Sequence, residues 1–267
     1  MTNSLSGSYL SLAENLPINE NDVLFIASDV KQLALAARSA GERFDANAFI
    51  ESFQSVLKNG TLIVPAYTDL LKNGDTFDHV KAKPTTGALS NKVYRRKDFI
   101  RTRDPLHSVF VWGKHQEELS SLDGNSSLGE GSIFEWLHKH QAKMICIDVH
   151  YQNSLTFVHY VEEKRKVKYR KPYNWSIKRV FKDSEDEKEF VFYSRKNWVL
   201  TDLELLQNSS IENGIATKYD QNGTDIIYFE LEQMYSHINE MLDRGEKLHI
   251  ISLVHFAKEI ARKLLGK

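Results

Sequence analysis

The chain has 267 residues, of which 41% are hydrophobic and 27% charged, enough to bury a sizeable core in one large globular unit. A formal net charge of −1, from 35 basic and 36 acidic residues, lacks the basic surplus of a dedicated nucleic-acid binder. The single cysteine, Cys146, excludes an internal disulfide framework, and no apolar stretch reaches the ~18–20 residues of a membrane-spanning helix. The first residues, Met1-Thr2-Asn3-Ser4, carry neither a basic n-region nor an apolar h-region, so a cytoplasmic location is expected.

Val23-Leu24-Phe25-Ile26-Ala27 is wholly apolar, the pattern of a strand covered on both faces. A helix is expected from Asp45, whose carboxylate caps the first turn, with Phe49, Ile50, Phe53, Val56 and Leu57 at helical spacing. Asn59-Gly60 is read as its stop, with Gly60 supplying the left-handed C-cap. Thr61-Leu62-Ile63-Val64-Pro65 then resumes as a buried strand, completing a βαβ unit. A second unit is expected from a strand at Val109-Phe110-Val111-Trp112, a helix at 132–140 opened by a Ser132/Glu135 capping box, and a strand at 144–149. Cys146 falls in that last apolar run, where a packing role is expected.

After residue 165 the pattern changes. Residues 176–194 alternate polar and apolar around Asp183-Ser184-Glu185-Asp186, which reads as a hairpin with an acidic turn. A strand at Ile226-Ile227-Tyr228-Phe229 precedes a helix at about 231–244, and a closing amphipathic helix is expected at about 252–265, with Leu253, Phe256, Ile260, Leu264 and Leu265 on its apolar side. No linker-like composition or internal repeat divides the chain, so one domain over 1–267 is expected. The fold class is α/β: a layered α/β/α sandwich on a mostly parallel or mixed central sheet, with a hairpin elaboration in the C-terminal half. In such a sheet ligands gather at the strand carboxyl ends, which directs attention to the polar loops 65–91, 101–108 and 121–131.

Several chemistries are missing. The chain has no GxSxG elbow, no Walker-A loop and no GxGxxG fingerprint; Gly124-Asn125-Ser126-Ser127-Leu128-Gly129 is a near miss for the elbow. Ten histidines raise the question of a metal, but no HExxH pair exists, and His138 and His140, two apart on a helix, point to different sides. No metal is expected.

Four ordered blocks remain. They are Gly60-Thr61-Leu62-Ile63-Val64-Pro65-Ala66-Tyr67; Pro84-Thr85-Thr86-Gly87-Ala88-Leu89 with Tyr94-Arg95-Arg96 and Arg101-Thr102-Arg103-Asp104-Pro105-Leu106-His107-Ser108; Asn125-Ser126-Ser127-Leu128-Gly129-Glu130-Gly131-Ser132; and Asn153-Ser154-Leu155-Thr156-Phe157-Val158-His159-Tyr160-Val161-Glu162. In this order they resemble the aminoglycoside 3-N-acetyltransferase family over roughly 22 to 170. Three segments depart from the family pattern: Ala27-Ser28-Asp29 in place of His-Ser-Ser, Asp104-Pro105 in place of His-Pro, and Asp148-Val149-His150 in place of Gly-hydrophobic-Gly-His. The departures bear on the acceptor and on the finer coenzyme contacts.

The resemblance implies transfer of an acetyl group from acetyl-CoA, the co-substrate, to an amine. An alkylamine is mostly ammonium at neutral pH, so a base must take its proton, and histidine, with a reference pKa of about 6.5, suits that task. By the resemblance His159 is that base. In T-x-x-H-x-x-E, the residues Thr156, His159 and Glu162 share one helical face, so Glu162 either orients the imidazole or holds the substrate ammonium. The developing oxyanion wants fixed donors, from Ser108, the Thr85-Thr86-Gly87 turn or nearby amides. Ser28, Thr85, Thr86, Gly87, Arg101 and Ser108 are the expected coenzyme contacts, and Asp69, Asp104 and His107 the expected acceptor contacts.

The basic run Lys164-Arg165-Lys166-Val167-Lys168-Tyr169-Arg170-Lys171 is usually a solvated face; bordering the cleft, it would suit an anionic acceptor. The expected reaction is direct N-acetylation of an amino sugar, preferably a nucleotide-linked one for surface polysaccharide, with an aminoglycoside antibiotic as the alternative. Coenzyme A and a small amino sugar are the expected partners of a monomer or homodimer, with no nucleic acid. A non-catalytic nucleotide- or sugar-binding protein on the same scaffold and a thioester hydrolase are the competing readings.

Overall fold

The computed structural model describes residues 2–254. Strand β1 (Thr2–Leu5) leads through a 3-10 turn and α1 (Leu12–Asn15) to β2 (Val23–Ser28), α2 (Lys31–Ser39), α3 (Ala46–Val56) and β3 (Thr61–Pro65). There follow β4 (Thr76–Asp78), α4 (Ala88–Val93), β5 (Ile100–Arg101), β6 (Val109–Gly113), α5 (Gln116–Ser120), α6 (Ile133–Lys139) and β7 (Lys143–Ile147). Then come α7 (Tyr151–Ser154), α8 (Phe157–Lys164), β8 (Arg170–Val180), β9 (Glu185–Arg195), β10 (Val199–Thr201), α9 (Glu204–Glu212), β11 (Ala216–Gln221), β12 (Thr224–Glu230), α10 (Leu231–Asp243) and β13 (His249–Ile251). Phe256, Ile260, Leu264 and Leu265 of the expected closing helix lie outside the described residues. Among the described residues no helix is long and apolar enough to cross a membrane.

The central sheet is mixed, with eight strands in the order β1-β11-β12-β7-β2-β3-β6-β5. Its middle three strands, β7, β2 and β3, are parallel. Their unbroken apolar runs follow from burial on both faces. Alternation sends Val23, Phe25, Ala27, Ile63, Met144 and Cys146 into one core with side chains of α6, α8 and α10. Leu24, Ile26, Leu62, Val64, Ile145 and Ile147 enter a second core with α1, α2 and α3. The two cores are the two helical layers of the expected sandwich.

Local capping follows the sequence with two differences. Asp45 caps α3, accepting from Asn47 N at 2.7 Å, and Phe49, Ile50 and Phe53 are buried. The helix ends before Gly60, however, and Gly60 is not in the left-handed region. A Cβ there would stand 2.3 Å from the Asp22 carbonyl oxygen, so what forbids a side chain is close backbone approach. Ser132 caps α6 from the expected position, while Glu135 returns its bond to Gly131 N at 2.9 Å. The second unit also differs from an adjacent βαβ pair: β6 runs antiparallel beside β3, and β7 joins β2. The chain therefore passes across the middle of the sheet between them.

The hairpin is longer than the alternation indicated. β8 and β9 pair from Arg170↔Arg195 to Val180↔Glu185, so Glu185 and Asp186 belong to the strand and the turn is tighter. β4 adds a parallel third strand. Arg179, with 2% side-chain exposure, ties the hairpin down: it lies 2.8 Å from Asp123 and 2.7 Å from Asp186. Arg179→Ala removes the central cation from Asp123 and Asp186, which are partly solvated and keep Arg103 and Lys188 beside them. We expect a loss of about 1–2 kcal/mol, read as a lower urea midpoint with unchanged slope.

Candidate active site

A cavity of about 630 Å³ opens at the carboxyl ends of β2 and β3, where Ala27, Ser28 and Pro65 reach its floor. This is where a parallel sheet leaves room for a ligand. The loop after β3 contributes Tyr67, Asp69, Thr85 and Thr86; α7 and α8 contribute Asn153, Thr156 and His159; and the hairpin closes the far side with Arg170, Trp175, Phe192 and Arg195.

His159 stands on the first turn of α8, with Thr156 at the N-cap and Glu162 one turn on, so the expected shared face is realised. Glu162 Oε2 lies 2.6 Å from His159 Nδ1, and the carboxylate is 1% exposed. Arg170 Nε stands 2.5 Å from the same oxygen, and the Tyr169 hydroxyl donates to Oε1 at 2.7 Å. Burial alone would raise the Glu162 pKa, but His159, Arg170 and the Tyr169 bond outweigh it and hold the carboxyl below its usual range. His159 Nδ1 stands 2.6 Å from both Glu162 Oε2, which only accepts, and Arg170 Nη2, which only donates; with its proton on Nδ1 toward the carboxylate, His159 presents Nε2 as the basic nitrogen. Burial lowers the His159 pKa, and Arg170, with Nη2 2.6 Å from Nδ1 and 3.1 Å from Nε2, lowers it further. The imidazole is neutral at neutral pH.

A second histidine faces the cavity. His107 Nδ1 meets Ser127 Oγ at 2.7 Å, and Ser127 donates to Asp104 Oδ1 at 2.9 Å. The Ser127 hydroxyl has one proton, so His107 donates from Nδ1 and keeps Nε2 as an acceptor. Edge-on packing against Tyr67, 5.1 Å between centroids, and Phe134 fixes the ring. Burial holds its pKa down to about 4. Asp104 does not reach the cavity wall: its Oδ1 accepts from Leu106 N and His107 N at 2.8 and 2.6 Å, folding the loop that presents His107. Its place is behind the site, as a positioning group.

The expected coenzyme contacts divide. Ser28, Thr85 and Thr86 line the cavity, and Gly87 caps the α4 helix beside them. Thr86 donates to Pro65 O at 2.9 Å, and Thr85 to Asp69 Oδ2 at 2.8 Å, which fixes Asp69 at the rim. Arg101 and Ser108 are placed elsewhere. Arg101 is buried behind the wall, donating to Ser108 Oγ, Ala82 O and Ala66 O at 3.0, 2.5 and 2.6 Å, and Ser108 donates to Ala66 O at 2.9 Å. All three donor groups of the guanidinium are thus directed at protein acceptors, and the pair stitches loops together. In the basic run, Lys164, Arg165, Lys166, Lys168 and Lys171 are exposed; Arg170 alone of the run lines the cavity. Cys146 is buried, its thiol pushed up to about 12, in keeping with packing.

Sequence reasoning missed Tyr67, Ser127, Tyr169, Arg195 and the aromatic wall of Trp175 and Phe192. Ser127 lay within a quoted block, but its link to His107 spans 20 residues and has no local signature. Ser126, in the near-miss elbow, is no nucleophile: it donates to Glu163 at 2.8 Å and accepts from Gly129 N at 2.8 Å.

The family model of the aminoglycoside 3-N-acetyltransferases matches residues 35–243, most of the chain. The chain belongs to the aminoglycoside 3-N-acetyltransferase family. It is accordingly a coenzyme A-dependent N-acetyltransferase with acetyl-CoA as co-substrate. Solved structures share the fold at low identity. The YokD protein from Bacillus subtilis superposes with a TM-score of 0.70 at 15% identity, over 89% of this chain and 99% of that one. AAC-IIIb in a binary complex with CoASH gives 0.72 at 14%, over 90% and 97%. AAC-VIa bound to sisomicin gives 0.72 at 12%, over 91% and 99%. No curated protein sequence matches.

Two departures from the 3-N-acetyltransferase pattern acquire physical meaning. Asp104 supports His107 from below, as described. Asp148 adopts φ 50° at the end of β7, the left-handed region that glycine enters freely.

The depressed His107 pKa carries a stability consequence. In the unfolded chain this histidine binds a proton below about 6.5, whereas in the folded chain it resists until about 4. Stability is therefore complete above that window and falls as pH drops through it. We expect His107→Asn to flatten the decline between pH 6.5 and 4, measured by urea unfolding at successive pH values.

Proposed function

We propose that the chain transfers the acetyl group of acetyl-CoA to an amino group of an aminoglycoside, with His159 as the general base. One observation carries this reading: a neutral histidine, fixed by a buried carboxylate, faces a cavity at the carboxyl end of the sheet. The aminoglycoside acceptor is supported by family membership and by the sisomicin-bound relative of the same fold. A nucleotide-linked acceptor has no such support, since the basic run that prompted it turns outward and the charge of Arg170 faces Glu162.

In this mechanism the acceptor ammonium enters past Asp69, and its approach to His159 Nε2 displaces the Arg170 contact. The imidazole takes the amine proton, and Glu162 stabilises the resulting imidazolium. The amine nitrogen then attacks the thioester carbonyl. As the tetrahedral intermediate collapses the C–S bond breaks, the surplus proton on the nitrogen passes to the departing sulfur to give coenzyme A, and the imidazolium returns its own proton to solvent. Ser28, Thr85 and Thr86 hold the acyl donor along the strand ends, and the Thr85-Thr86-Gly87 turn offers donors to the developing oxyanion. Thr156 flanks the path between the two substrates. The cytoplasm, where acetyl-CoA is available, is the proposed location.

A second reading is an amino sugar bearing an anionic group. It is favoured by Arg195, which lines the cavity while its Nη1 donates to the Val199 carbonyl at 2.5 Å rather than to a carboxylate. A screen of coenzyme A release against aminoglycosides and anionic amino sugars separates the two, with release confined to the anionic set overturning the first. We expect His159→Ala to lower kcat by roughly 10²–10⁴-fold while acetyl-CoA still binds; an unchanged kcat would remove His159 from the mechanism. The lowered His159 pKa keeps the base neutral as pH falls, so the acid limb of kcat/KM should lie below the ordinary 6.5. Arg170→Met removes a depressing charge and should move that limb upward.

A further inference from the structure

At the opposite end of the sheet from the cavity, three side chains converge. His115 precedes α5, Glu118 lies within it, and His140 closes α6. Gly113, just before them, pairs with Thr61 at the start of β3, whereas the cavity opens at Pro65, about 13 Å further along the strand. Nothing in the acetyl-transfer mechanism uses this cluster.

We propose that His115, Glu118 and His140 form a binding site for a divalent transition-metal ion of the zinc type. Their ligand atoms all lie within 4.8 Å of one another. His115 Nδ1 stands 2.8 Å from Glu118 Oε2, and His140 Nε2 stands 3.9 Å from Oε1. Donors bound at ~2.0–2.1 Å around a tetrahedral zinc are roughly 3.3 Å apart, so small rotations of side chains bring all three to one ion. Two imidazoles and a carboxylate, with water in the fourth position, are a donor set that zinc accepts.

The surroundings are those of a metal site as well. His140 Nδ1 meets the Trp136 carbonyl at 2.9 Å. A carbonyl only accepts, so Nδ1 holds the proton and Nε2 turns its lone pair toward Glu118; a backbone carbonyl fixing the tautomer of a ligating histidine is a recurrent outer-shell device. The Trp136 ring stacks on His140 at 3.8 Å and 18°, and its indole N–H donates to Glu118 Oε1 at 2.7 Å. One tryptophan thus aligns two ligands, while Oε2, paired with His115 Nδ1 at 2.8 Å without an ion, exchanges that contact for the ion when one binds. His138, two residues away, faces Tyr160 and Glu232 and has no part in the cluster. A bound ion would brace the start of α5 against the end of α6, and its proposed role is structural.

The test uses the full chain stripped with a chelator. Zinc chloride is titrated calorimetrically, and cobalt chloride is followed by its visible absorption. The expected result is one equivalent bound, with tetrahedral cobalt bands and a change in Trp136 fluorescence. Both His115→Ala and His140→Ala should weaken that binding by more than about tenfold and leave acetyl transfer intact, while His138→Ala should bind as the parent does. If either alanine variant fails to fold, His140→Gln, checked by circular dichroism, takes its place. Binding that survives in the cluster variants, binding lost instead in His159→Ala, or no binding at all would each overturn the proposal and leave the cluster a hydrogen-bonded network only.

Discussion

Glu162 is a carboxylate almost wholly withdrawn from water, and such a group is tolerable only when cations and donors replace its hydration. It takes one contact from its own helix (His159), one from the strand that follows (Arg170) and one from the residue between them (Tyr169). Each of these three is placed by its neighbours because the carboxylate must be satisfied. The orientation of His159 and the closure of the hairpin against α8 both derive from that requirement, while its neutrality comes from burial and the Arg170 charge against the opposing pull of Glu162. Removing Glu162 would undo position and proton affinity together.

The cavity is assembled from two kinds of structure. Its floor belongs to the central sheet, where Ser28 and Pro65 end parallel strands. Its far wall belongs to a separate three-stranded sheet. The loop 125–127 joins them: Ser127 N donates to Val191 O and Val191 N to Asn125 O, while the Ser127 side chain supports His107. The motif block around Ser126 and Ser127 therefore serves as a seam. Gly129 fits the same role, because a Cβ there would meet Glu163 Oε1 at 2.1 Å.

The elements of the central sheet were legible because alternation and two-sided burial leave a strong local record: Val23–Ser28, Thr61–Pro65 and Lys143–Ile147 fall where the apolar runs lie. The His159–Glu162 pair was legible because helical spacing of three joins residues close in sequence. What escaped was non-local. Arg101 is a charged residue beside a polar loop, and nothing nearby in sequence reveals that Ala66 and Ala82 carbonyls await its guanidinium. Asp104 looks like a surface acid until its bonds to the amides of Leu106 and His107 are seen. Strand order was equally hidden, since the antiparallel placement of β6 beside β3 depends on long-range pairing that periodicity does not encode. The hairpin was foreseen as an elaboration, while its cavity-facing residues were not, because one polar-apolar alternation fits either orientation.

The register of that hairpin has an evolutionary reading. Arg170 and Arg195 are its first pair and Val180 and Glu185 its last, so the charge facing Glu162 and His159 sits at the root, aromatic cavity surface at Trp175 and Phe192 in the middle, and only a short turn at the tip. Drift in the turn at 181–184 changes little, drift at Arg179 loosens the tie to Asp123, and drift in the middle reshapes the cavity wall without touching the charges at the root. Drift at the root alters the electrostatics of Glu162 and His159. Sequence change along this ribbon would accordingly act differently by position, with its effect on the His159–Glu162 pair confined to the end anchored at α8.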